Sequence, residues 1–153
     1  MHRESRSIDG ADDGGSAALE FILAGLVLLV PIVYLIVALG TIQAQALGVE
    51  TGARQLARTL ATSSDAATAD ERAERVLAAI VSEYALDPDA VEVSVHCADA
   101  AGDCPAAGAL LTVTVTTEVA LPFVPPILAL DRIARIPVQA VSVQKVSRSW
   151  GEP

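Results

Sequence analysis

Twenty consecutive residues, 21–40, read FILAGLVLLVPIVYLIVALG and carry no charge; the next charged residue is Glu50. At a helical rise of about 1.5 Å per residue the block spans roughly 30 Å, the thickness of a bilayer hydrocarbon core. A water-soluble fold would have to wrap such a helix on every side, and a chain of 153 residues has too little left over to do so. The expectation is a single membrane-crossing helix, with the rest of the chain organised around it. Pro31 lies inside the block, where a membrane helix tolerates it with a kink.

The helix is expected to outrun the membrane. Leu39, Ile42, Ala46, Val49, Ala53, Leu56 and Leu60 recur at spacings of three and four, which makes one stripe, while Gln43, Gln45, Glu50, Arg54, Gln55 and Arg58 lie off it. Residues 16–61 therefore read as one helix, apolar all round at first and amphipathic later. Before it, residues 1–15 are polar and end in Gly-Gly, as a leader or tail would. Thr62, Ser63, Ser64 and Asp65 break the period, and residues 62–69 are expected to be a linker.

A second helix is predicted over residues 70–86, with Ala73, Val76, Leu77, Ile80, Val81 and Tyr84 on its buried face and Asp87-Pro88-Asp89 ending it. The period then drops to two. Val91, Val93, Val95 and Cys97 form one half-buried strand. Leu111, Val113, Val115 and Val119, alternating with Thr112, Thr114, Thr116 and Glu118, form the next. A third strand is expected over residues 137–146, with a slip near Ala140-Val141 that reads as a bulge. Between strands two and three, residues 121–128 are too proline-rich for a central strand, and Pro126 could open a short helix reaching Ile133. The fold class is α+β: a long helix, then a domain over residues 70–147 built from a second helix and about three antiparallel strands, and a tail over residues 148–153.

Net charge is −9, with no Lys/Arg stripe to meet phosphates, which argues against nucleic acid as a partner and against anionic lipid for the soluble part. Cys97 and Cys104 flank a turn-like hexapeptide. They read as a disulfide, which suits an oxidising compartment, as a metal site with His96, or as two free thiols. The only histidines are His2 and His96; no Gly-rich phosphate loop and no nucleophile–base pair is evident, so neither a cofactor nor catalysis is expected.

The string Gly15-Ser16-Ala17-Ala18-Leu19-Glu20-Phe21 puts a carboxylate against the apolar block with no cation beside it. By its own chemistry Glu20 is either an ordinary acid in the headgroup layer or a buried charge that needs a partner. At this string the chain resembles type IV prepilins, and more closely the TadE-like minor pilins or pseudopilins of tight-adherence (Flp) pilus systems. The resemblance implies a pilin-like fold and a cytoplasmic leader cut between Gly15 and Ser16 by a prepilin peptidase. Glu20 then becomes the fifth mature residue, followed by the aromatic Phe21. It further implies a C-terminal domain outside the cytoplasm and, as partners, the peptidase, other pilins and pilus assembly proteins, and the lipid bilayer. The new Ser16 ammonium would lie four residues from Glu20 on the same helix face. Two other readings stand beside it: an uncleaved single-pass protein with a small extracytoplasmic binding domain, and a secreted domain cut after Ala44-Gln45-Ala46.

Overall fold

The computed structural model describes residues 13–98, 104–124, 127 and 133–151. Helix α1 covers Asp13–Thr62, helix α2 Ala66–Glu83, and three strands follow: β1 Glu92–Ala98, β2 Leu110–Ala120 and β3 Arg135–Lys145. The fold class is α+β, as the change of hydrophobic period predicts. Contacts divide the chain into two compact units, residues 1–37 and 38–153.

In the first unit every described side chain from Ala17 onward is exposed. Among the described residues one helix is long and apolar enough to cross a membrane, and it lies near the N-terminus. Such a helix, apolar on every face and uncovered by its own chain, fits a single-pass membrane protein.

The second unit has its own core. Val49, Ala53, Leu56, Ala57, Leu60 and Ala61 of α1 join Ile80 of α2 and Leu111, Val113 and Val115 of β2 in one buried cluster. The amphipathic stripe thus covers the sheet, except at its start: Leu39 is exposed, and its neighbour Ala38 is buried instead. The two helices approach closely because α1 offers glycine. A Cβ on Gly48 would stand 2.5 Å from Tyr84 Cγ, and one on Gly52 would stand 3.3 Å from Ile80 Cγ2. A Gly-x-x-x-Gly spacing on one face lets the two backbones come together in the same way that small residues do in membrane bundles.

Helix α2 starts at Ala66, four residues ahead of the apolar period, because Asp65 caps it. The Asp65 carboxylate accepts from the Thr68 backbone N–H at 2.9 Å and from the Thr68 hydroxyl. The expected linker of residues 62–69 shrinks accordingly to the three residues between Thr62 and Ala66. The helix also ends before Leu86, at Tyr84, whose N–H reaches the Ile80 carbonyl.

The strands form an antiparallel sheet in the order β1-β2-β3. Pairing of β2 with β3 runs unbroken from Leu110↔Lys145 to Ala120↔Arg135, so there is no bulge near Ala140-Val141. The apparent slip has another cause. Val141 and Val143 are opposite Thr114 and Thr112 on the outer face, where they stand exposed. The inward positions of β2 are all buried, including Thr117 between Val115 and Val119. Strand β1 is less covered than its alternation predicts. Val93 and Val95 share the inner face with Val115 and Val113 but stay exposed at the sheet edge, and only Cys97 is buried. The expectation of a short helix opened by Pro126 falls largely outside the described residues.

Two sets of contacts fix the direction of β3 along α1. Past its C-terminal end, the Ser147 N–H donates to the Ala61 carbonyl at 2.9 Å, and Gly151 N–H donates to Ser64 O at 2.8 Å. At its N-terminal end, Arg135 Nη1 lies 3.5 Å from Glu118 Oε2 and 4.0 Å from Asp87 Oδ2. Two residues before Asp87, the Ala85 carbonyl accepts from Gln45 Nε2 at 3.1 Å. The start of β3 therefore lies at the level of Gln45 and its end near Ala61, so strand and helix run the same way.

Candidate functional site

Gly15 and Ser16 fall within α1, in the stretch whose side chains are outside the described residues. Glu20 and Phe21 sit on the same helix, both exposed, with Phe21 at 80%. The helical path places Glu20 one turn beyond Ser16, since four residues advance about 6 Å and bring the two onto one face. The arrangement is a carboxylate at the head of an apolar, uncovered helix. Among the described residues no salt-bridge partner and no group of convergent His, Cys, Asp or Glu side chains stands beside it. Its chemistry is ion pairing, the stronger the less water surrounds it.

The cysteines are joined: Cys97 and Cys104 form a disulfide with Cα atoms 5.6 Å apart. Cys97 is the one buried residue of β1, so the bridge ties the turn before β2 to the core margin. Closing a loop of this length restricts the unfolded chain by about 2.5 kcal/mol in the entropic account. Bonded to each other, the sulfurs are not thiolate ligands, and His96 points to the opposite, outer face of the sheet, paired across from Thr112. In this arrangement His96, Cys97 and Cys104 do not converge as a set of metal ligands. Among the described residues no group of three or more His, Cys, Asp or Glu side chains is placed to hold a metal.

The Ala44-Gln45-Ala46 string lies in the middle of α1, with Gln45 engaged to Ala85. A cut there would have to open a helix that belongs to the domain's frame.

Two features escape a reading of the sequence. One is a groove of about 400 Å³ beside α2, lined by Leu77, Ala78, Val81, Ser82, Pro88 and Val91 together with Glu74. Leu77 and Val81 look like plain core positions by period. The other is a group of exposed apolar side chains, Phe123, Ile127 and Ile133, between β2 and β3. A cue existed for the first two: residues 119–130 contain no charge in an otherwise acidic domain, whereas Ile133 follows Asp131 and Arg132.

Compared with known protein families, with curated proteins and with solved structures, the chain matches none.

Proposed function

We propose that this chain is a TadE-like minor pilin or pseudopilin, which acts by assembly rather than catalysis in the biogenesis of adhesive Flp-type pili. The observation that carries the reading is the Gly15-Ser16-x-x-x-Glu20-Phe21 string at the head of an apolar helix that its own chain leaves uncovered. A prepilin peptidase would cut after Gly15, where a side chain would obstruct approach to the backbone. Glu20, five residues past the bond, would then pair with a Ser16 ammonium in its own or a neighbouring chain and set register between packed helices. The disulfide supports placing the domain on the oxidising side of the membrane, with the N-terminus cytoplasmic. The pilin-like character of the fold rests on the same order of parts: a long helix whose second half covers a small antiparallel sheet.

Two variants test the proposal by failing differently. Gly15→Val should retain the leader, giving a mass that starts at Met1 or its processed form. Glu20→Gln should be cut to Ser16 like the parent yet support at least tenfold fewer surface pili. A parent whose membrane-fraction mass keeps residues 1–15 would return the chain to the uncleaved single-pass reading, and a mass beginning at Leu47 to the secreted one. If Glu20→Gln is cleaved and assembles pili as the parent does, Glu20 is a headgroup-level acid and the pairing role is wrong.

A further inference from the structure

A sheet ordered β1-β2-β3 has two edges, and here they are not alike. On β3 the inward Val138 and Ala140 pack against the core, and Ser142 is buried. That strand also carries Pro137, which lacks a backbone donor, and the cations Arg135 and Lys145 near its ends. Proline and charge on an edge strand discourage pairing with another chain. On β1 every residue from Glu92 to His96 is exposed, on both faces of the sheet, with Val93 at 37% and Val95 at 41%. The strand contains no proline, lysine or arginine, and its pairing with β2 runs without a bulge from Glu92↔Thr116 to Ala98↔Leu110.

An antiparallel strand turns the N–H and C=O of every second residue away from its neighbour. Among the described residues no hydrogen bond reaches these groups of β1 from the side away from β2. Just before the strand, Val91 lines the groove with Leu77 and Val81 of α2, so open apolar surface lies beside the start of this edge. The β1 edge therefore offers unused backbone groups and uncovered valines together.

We propose that the β1 edge is a contact between two copies of this chain, which pair antiparallel about a two-fold axis through Ser94 and join their sheets. A second copy is the occupant because β1 is complementary to itself in this register. Residues directly opposite each other share a face. Val93 then stands against Val95 of the second copy on the inner face, where each covers the other. On the outer face Glu92 stands against His96 of the second copy, and the carboxylate accepts from an imidazole N–H. The two-fold axis makes each of these pairs occur twice. Centring one residue earlier would set Glu92 against Ser94, and one residue later against Ala98, so Ser94 is the centre that matches charge as well as shape. A net charge of −9 on each copy opposes association at large, which leaves this local match to select the contact. The proposal concerns the domain alone and holds whether or not a leader is removed or pili are built.

The test is cross-linking of the full chain in isolated membranes with a short thiol-to-thiol linker, read by non-reducing gel electrophoresis. Ser94→Cys puts one thiol on the axis, facing its counterpart. Val141→Cys puts one on the same face of the sheet at the β3 edge, where it is 56% exposed. Ser94→Cys should give at least fivefold more dimer than Val141→Cys. Adding Glu92→Lys to Ser94→Cys should reduce that dimer at least threefold, and adding His96→Glu as well should restore it. Within one chain Glu92 and His96 lie four residues apart on an extended strand, about 13 Å, so such a rescue reports a contact between copies. Equal cross-linking at positions 94 and 141, or none at 94, would overturn the contact, including the case in which a different protein occupies the edge. Cross-linking at 94 that ignores both charge changes would overturn the register on which the choice of a second copy rests.

Discussion

Leu26 and Leu56 belong to one helix, thirty residues apart, and differ in exposure from 55% to 2%. Around Leu26 every residue is apolar and none is covered; around Leu56 polar residues alternate with a stripe that is sealed by the sheet and α2. One helix thus carries two kinds of surface. In the first half the apolar surface is left uncovered, which fits a lipid surrounding, where helix association would rely on close packing. In the second half burial by the protein itself supplies the free energy. The same residue type should therefore mean different things in the two halves.

The largest expected contrast is between Leu56→Ala and Leu26→Ala. The first removes a fully buried side chain and should lower domain stability by about 3 kcal/mol. The second should leave it unchanged. Urea unfolding of detergent-solubilised protein, followed by Trp150 fluorescence, measures both, and equal losses would mean that the two halves form a single cooperative unit.

Glycine sharpens the contrast at smaller scale. A Cβ at Gly48 meets Tyr84, whereas one at Gly25 meets nothing within 4 Å. Gly48→Ala should cost about 1–3 kcal/mol by overpacking, and Tyr84→Ala in the same chain should return part of it. Gly25→Ala should cost the domain nothing in the same unfolding measurement.

The smallest effect concerns the start of α2, which has no counterpart in the uncovered half of α1. The backbone N–H of Thr68, with the hydroxyls of Ser64 and Thr68, holds the Asp65 carboxyl below the ordinary carboxylate range. A depressed folded-state pKa stabilises the fold above the unfolded pKa of about 4, and the contribution is lost as pH falls through the folded value. Asp65→Asn keeps a capping acceptor but does not titrate. Melting curves from pH 7 to pH 2 should therefore show the parent losing a little more stability than this variant, all of the difference arising below about pH 4.

Much of this comparison can be read from the residues alone, because both halves of α1 announce themselves by period. The uncharged run marks one half, and the three–four stripe from Val49 to Leu60 marks the other. What hides is whatever depends on partners far away in sequence. Asp65 looks like the middle of a linker until its carboxylate is seen to hold Thr68. Val141 and Val143 look like a bulge, because alternation assigns faces only if valine always points inward, and the register with Thr114 and Thr112 decides otherwise. Val93 and Val95 alternate faultlessly, yet their strand lies at the edge, where little remains to cover them. At the candidate site the spacing of Gly15, Ser16, Glu20 and Phe21 is entirely local and legible.

The two hydrogen bonds that tie Ser147 to Ala61 and Gly151 to Ser64 impose an order in time. The carbonyl at the end of α1 waits for a donor that is made 86 residues later. At a synthesis rate of about 5–20 residues per second, that interval is on the order of ten seconds. Throughout it the sheet-facing stripe of α1 has no completed sheet to cover it, because β3 is the last strand to arrive. A chain delivered across a membrane from its N-terminus would pass through a stage in which the anchor is already set while the domain beside it is still open. The synthesis of β3 and of the residues just after it, not the formation of the helix, is then the event that closes the fold.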